Sequence, residues 1–432
     1  MRKAFYLVMT LVFLGACDTA SNVKQPNKDY FLKYFGGDGN QTAVDLVVNG
    51  GIFFVLGNSR KTTDSIQRIY LAKANAFGEL IGNEVLYGDS ETEARDFLLT
   101  KDGNYLVVVA NQGPNALLIR FTTNAPTASG IAKNANDAVV IPGMYANSVT
   151  ELSDGGFIAE GYQVQGSGQK AEYHFRWNGN PWSAYAPAAV WHPNFNGNGS
   201  GSDFIGIRTI QHDAISFYTF GSINAQYKAP PGNTNFKFMA YQLGEFGDAS
   251  GGGTGDNGTF AAQGYNTNNY LTCAVEAGIG GFLVAGVARS PLTDSLKVAI
   301  TLDPNFNVTP GDVFKDLLIE DLGKAGQSGH PFATAYSATL HNFVLANKYN
   351  AASPPTSDII LLKVNNALEP QWGGGPIPHY VQFGGDGDDT AAAVAELPDG
   401  HIMVLGTMQL GNPPTQFKIV LMKLNANGKL AE

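Results

Sequence analysis

Phe383-Gly384-Gly385-Asp386-Gly387-Asp388-Asp389, followed by Ala391 to Leu397, Asp399-Gly400, Met403-Val404-Leu405-Gly406 and Phe417 to Leu424, decides the fold of this chain. Three apolar runs of strand length are separated by Gly and Asp pairs, and the last run stops at Asn425-Ala426-Asn427-Gly428. Apolar runs this short, bounded by turn residues, read as β-strands. Asp-Gly and Gly-Gly pairs supply the positive φ that a tight hairpin demands.

Moving outward from this unit, the middle strand and the small residue after it recur along the chain. The copies are Phe53 to Leu56 before Gly57, Leu106 to Val109 before Ala110, Phe157 to Glu160 before Gly161, and Phe217 to Phe220 before Gly221. Phe282 to Ala285 before Gly286 and Phe343 to Ala346 before Asn347 complete the series up to Leu405-Gly406. The ends of these strands are 53, 51, 60, 65, 61 and 59 residues apart. A period of that length with several strands per unit predicts propeller blades. The chain ends after the third strand of its last unit, and Tyr30-Phe31-Leu32-Lys33-Tyr34-Phe35 is an orphan strand ahead of the first. Its counterpart later in the chain is His379 to Phe383. The expected fold is therefore an all-β, seven-bladed β-propeller whose N-terminal strand completes the last blade and removes an exposed edge. Unit four is weakly marked, so counts of six and eight stay open.

The pattern resembles a bacterial repeat family of cell-envelope propellers, with units of the form F-G-G-x-G-D-D, D-G-G-[YF] and [IL]-x-K-[LV]-[DN]-x-x-G. Residues 383–430 match it best, residues 35–80 match well, and units two to six keep only parts. The resemblance implies the fold and is nearly silent on activity, because such propellers serve as scaffolds, binders and occasional enzymes.

Met1-Arg2-Lys3 and the apolar run Phe5 to Leu14 precede Leu14-Gly15-Ala16-Cys17, which resembles a lipoprotein cleavage site. The run is too short to span a bilayer. The expected division is a signal peptide over residues 1–16, a flexible tether over 17–28 and the propeller over 29–432, with lipid on Cys17. That places the protein on a membrane of the cell envelope, the outer membrane by preference. Loss of Arg2 and Lys3 leaves 25 basic residues against 37 acidic ones. A nucleic-acid partner, which needs a basic stripe, is not expected. Cys273 lies in the apolar run Tyr270 to Val275 and reads as a small buried hydrophobe, since a reactive thiol needs an electropositive setting.

No cofactor, metal or catalytic motif stands out. Asp386, Asp388 and Asp389, and Asp38 with Asn40, alternate like calcium ligands, but the position that should carry a bidentate Glu is Leu397; they read as turn residues. His212, His341 and His401 occupy equivalent turns in different units and so cannot converge on one ion. No spacing picks out a pair of acids, although acids on separate blades could meet across a central channel. The most distinctive stretch is Trp177 to Phe195, which holds three of the four tryptophans. Trp182, Tyr185, Trp191, His192 and Phe195 are the candidate binding residues, as a platform for a glycan or an anchor for a protein, with interblade packing as the alternative role. The expected function is a non-enzymatic binding or scaffold subunit docked on another envelope protein, with a carbohydrate-active protein as the alternative. The face carrying the longer loops, near Trp191, His192 and Phe195, is the expected contact surface.

Overall fold

The computed structural model describes residues 30–63, 65–125, 130–132, 138–166, 168–177, 190–191, 203–212, 217–223, 236–243, 268–277, 281–289, 294–301, 333–337, 341–350, 356–372, 380–411 and 414–430. Every regular element among them is a strand. After β1 (Phe31–Phe35) come β2 (Asn40–Asn49), β3 (Ile52–Arg60), β4 (Gln67–Ala74) and β5 (Val85–Tyr87), which pair in that order as a first sheet. The second sheet holds β6 (Glu93–Leu99), β7 (Tyr105–Gln112) and β8 (Asn115–Ala125), with β9 (Gly130–Ala132) and β10 (Ala138–Pro142) both on β8. The third runs β11 (Met144–Glu151), β12 (Phe157–Val164), β13 (Lys170–Trp177) and β14 (Val190–Trp191). Three described strands each form the fourth sheet, β15 (Phe204–Gln211), β16 (Phe217–Ile223) and β17 (Lys237–Leu243), and the fifth, β18 (Asn268–Glu276), β19 (Phe282–Arg289) and β20 (Asp294–Thr301). The sixth is β21 (Ala333–Ser337), β22 (His341–Asn350), β23 (Thr356–Asn365) and β24 (Tyr380–Phe383). The seventh, β25 (Thr390–Glu396), β26 (Ile402–Gly411) and β27 (Pro414–Leu424), takes β1 as its outermost strand.

All pairings are antiparallel, as hairpin connections require. Each sheet packs on the next, and β2 of the first also packs on β25, β26 and β27 of the last. This is a propeller arrangement. The first strand of each sheet faces its neighbour's first strand around a common centre. The apolar residues of the second and third strands fill the gaps between sheets: Phe53, Val55 and Tyr70 meet Met403, Leu405 and Leu421 at the join between first and last.

The glycine that ends five of the seven marker strands has a physical cause. In six of the seven sheets the first strand carries a register shift, as between Ala43 and Asp45 or Ala391 and Ala393. The bulge drives a carbonyl of that strand onto the second strand. A Cβ at Gly161 would lie 2.0 Å from the Tyr145 carbonyl oxygen, and one at Gly286 2.1 Å from that of Tyr270.

The N-terminal strand pairs where the sequence places it. Phe31 to Phe35 run antiparallel to Lys423 to Ile419, and Phe35 is buried. The turn acids behave as turn acids: Asp389 accepts the amides of Gln409 and Gly385, Asp388 accepts that of Ser357, and Asp38 accepts the Thr62 hydroxyl.

Candidate functional site

The first strands bring the same position of each sheet to the centre, in six of them through the bulge. Opposite Leu56, Val109, Glu160, Phe220, Ala285, Leu345 and Leu405 lie Asp45, Asp96, Ser148, Arg208, Cys273, Thr334 and Ala393. Four of these meet as a polar cluster. Arg208 Nη2 donates to Asp96 Oδ2 at 3.0 Å, and the Val149 amide donates to the same oxygen at 2.9 Å. Burial lifts the Asp45 carboxyl well above the usual range, and the neighbouring Asp96 carboxylate adds to the lift. The Asp96 carboxylate outweighs burial at Arg208 and holds its guanidinium firmly protonated. Thr334 Oγ1 lies 3.5 Å from Cys273 Sγ, and burial pushes that thiol up, away from thiolate.

A pocket of about 400 Å³ opens beside this cluster. Its lining comes from the far ends of the first strands of sheets two to five and includes Lys101, Glu151, Arg208, Gln211 and Glu276. Arg208 keeps 28% of its side-chain surface open. The pocket lies at the end of the centre where the short turns through Gly103 and Gly155 emerge, not the end where the longer connections do.

A second cluster lies between the third and fourth sheets. Glu160 on β12 and His174 on β13 are cross-strand partners, and Glu172 shares the His174 face two residues earlier. All three are buried. His174 Nδ1 pairs with Glu160 Oε2, and Nε2 lies 3.5 Å from Glu172 Oε2. From the fourth sheet, Thr209 donates its hydroxyl to Glu160 Oε2 at 2.7 Å and sits 2.8 Å from the Thr219 hydroxyl. Burial opposes a charged imidazole here, but Glu160 and Glu172 together outweigh it and push His174 up to about 10.

Cys17, Trp182, Tyr185, His192 and Phe195 lie outside the described residues, and Trp191 is described only through its backbone in β14, opposite His174. Trp177, at the start of that aromatic stretch, is buried in the core between the second and third sheets. The three turn histidines stay apart, as their spacing requires: His341 pairs with Glu396 at 2.7 Å, His401 with Asp399 at 3.1 Å, and His212 packs on Tyr218. Neither polar cluster was predicted. The signals were present as Glu172-Tyr173-His174, an alternating pair of ligand-type residues, and as an acid at position 160 where the other units carry an apolar residue.

No protein-family model and no curated protein matches the sequence. Among solved structures, the chain is similar to a protein of unknown function from Dyadobacter fermentans, at 10% identity over 78% of this chain and 95% of that one, with a TM-score of 0.45. It is also similar to the β-propeller domain of Cps50 (Swd1) from Myceliophteria thermophila, at 10% identity over 90% and 99% of the two chains, with a TM-score of 0.44. The third is Drosophila semaphorin 1a, extracellular domains 1–2, at 9% identity over 92% and 88%, with a TM-score of 0.47.

Proposed function

We propose that this chain is a lipid-anchored propeller of the cell envelope, each of its seven sheets one blade, that serves as a non-enzymatic binding or scaffold subunit docked on another envelope protein. The observation that carries this reading is the position of β1. As the outermost strand of the last sheet, it begins at the rim of the disk. A tether over residues 18–28 then reaches at most about 40 Å from a lipidated Cys17. Such a tether holds the disk near an outer-membrane surface while leaving both faces free for a partner. Phe77, 62% exposed, stands in a turn packed against β1 through Gly78 and gives that rim an apolar edge.

Binding is favoured over cleavage at the centre. A glycosidase holds its two carboxyls about 5 to 9 Å apart, to admit the sugar or a water. At the centre the Asp96 carboxylate is instead taken up by Arg208 and the Val149 amide. A glycan gripped at the central mouth or by Trp182 and Trp191 is the second reading, and the partly open Arg208, paired with Asp96 at the pocket, is what favours it.

Capture of the lipidated protein from detergent-solubilised membranes tests the proposal. We expect one envelope protein to co-purify in fixed proportion, and Cys17→Ser to abolish lipid labelling and leave unprocessed precursor. Normal labelling of Cys17→Ser would end the lipoprotein reading. Capture of no protein, together with glycan binding lost in Trp182→Ala and Trp191→Ala, would replace the scaffold reading with the second one.

A further inference from the structure

We propose that the central pocket binds a short zwitterionic peptide, its carboxylate inward on Arg208 and its ammonium at the rim on Glu151 and Glu276. This gives the central mouth a ligand of its own and is independent of the protein partner proposed above.

The floor of the pocket supplies the contact for an anion. Arg208 Nη2 is held by Asp96 Oδ2 at 3.0 Å, with the Val149 carbonyl oxygen 3.5 Å away. Its Nε and Nη1 donate to nothing among the described residues, and neither is shut off from solvent. The guanidinium is thus fixed through one nitrogen and presents unused donors to the space it lines. A side chain already held in place loses little freedom when a carboxylate arrives, which favours binding.

The rim supplies the opposite charge. Glu151, Gln211 and Glu276 each stand three residues beyond Ser148, Arg208 and Cys273, which share the central position of their strands. Three residues of strand advance about 10 Å. Gln211 is occupied by Ser153, whose amide donates to Oε1 and whose hydroxyl accepts from Nε2. The two acids are more available. Glu151 accepts the Lys101 amide, yet burial raises its carboxyl more than that bond and the Lys101 charge lower it, so an added cation is welcome there. Glu276 is exposed and has no hydrogen bond or ion pair among the described residues.

This arrangement selects a ligand with both signs. A simple anion must pass Glu151 and Glu276 to reach Arg208, and a simple cation at the rim leaves the Arg208 donors unused. Two or three residues of extended chain, at about 3.5 Å each, cover the distance between the two levels, whereas a free amino acid does not. The cavity of about 400 Å³ is of small-ligand size. Its walls at Leu98, Val149, Ile210 and Val275 are apolar and suit peptide side chains better than the hydroxyls of a sugar.

The test is isothermal titration of the full chain with alanyl-leucyl-alanine, its N-acetyl form, its C-terminal amide, glucose and glucuronate. We expect saturable binding of the free tripeptide, weakened about tenfold by either cap, and no binding of the two sugars. Glu276→Gln should weaken the free tripeptide and leave the N-acetyl form unchanged. Failure of the free tripeptide to bind at millimolar concentration, equal binding of free and capped forms, or equal loss of both in Glu276→Gln overturns the proposal. Binding of a sugar in place of the tripeptide overturns it as well and assigns the pocket to the glycan reading. The ligand series is read on the unaltered chain, so a variant that fails to fold leaves the decision intact. Co-purification of a partner protein tests the scaffold reading separately, whichever result the titrations give.

Discussion

Deleting residues 18–36 should destabilise the whole ring, whereas deleting 18–27 should not. The longer deletion removes β1, whose five residues pair with Lys423 to Ile419. Phe35 is 2% exposed, and the Phe31 ring lies 6.4 Å from that of Phe53 in the first sheet. Burial of Phe35, with partial burial of Phe31 and Leu32, contributes about 5 kcal/mol, and the apolar surface they cover contributes a similar amount. The strand's hydrogen bonds add about 1 kcal/mol each, or roughly 5 in all. Ordering five residues costs about 5 to 10 kcal/mol. At the upper end of that cost the balance is about 5 kcal/mol, before counting the Gly36 amide bond to Glu84. With an unfolding entropy of about 2.1 cal/mol/K per residue over roughly 400 residues, that balance lowers the melting temperature by about 6 °C. The newly exposed edge of β27 should also promote association. Differential scanning calorimetry of both truncations beside the full mature chain is the assay, with light scattering to follow association. Melting temperatures within about 1 °C of each other would refute the closure argument, since β1 would then contribute nothing that the ring needs.

The central cluster gives two further predictions. Asp45 is raised in the fold, so the folded state holds a proton that the unfolded chain releases near pH 4; stability therefore declines as pH rises from that value toward the folded one. Asp45→Asn, neutral at every pH, should raise stability at pH 7 and flatten that decline in urea denaturation followed across pH; a less stable variant at pH 7 would contradict the raised Asp45 carboxyl. Asp96→Ala strands the Val149 amide and weakens the pairing of Arg208, and should cost about 2 to 4 kcal/mol at unchanged m-value, with Asp96→Asn losing less. A cost below about 1 kcal/mol would mean that Asp45 alone can hold Arg208.

The repeat was legible because its demands are local. Gly161, Gly221 and Gly286 end their marker strands because a bulged carbonyl leaves no room for a side chain, so the requirement is written at most of the copies. The partner of Phe31 to Phe35 could be inferred by counting strands, since an unpaired outer strand at one end answers a missing one at the other. The clusters were not legible by motif, because their members come from different units: Asp45, Asp96 and Arg208 belong to the first, second and fourth, and only the ring brings them together. Yet the alignment of units carries the signal once it is read by position. At the matching position of the second strand, six sheets place Leu56, Val109, Phe220, Ala285, Leu345 and Leu405, and one places Glu160. On the inner strands the matching position is Ala393 in one sheet and an acid in two others. The residues that copies share are those the blade needs in order to fold. A buried charge in one copy alone is unnecessary for folding and costly to keep, so it has to be offset by something specific to that place. At Asp45 and Asp96 the offset is a proton and Arg208. At Glu160 it is the His174 imidazole and the Thr209 hydroxyl, both on one carboxylate oxygen.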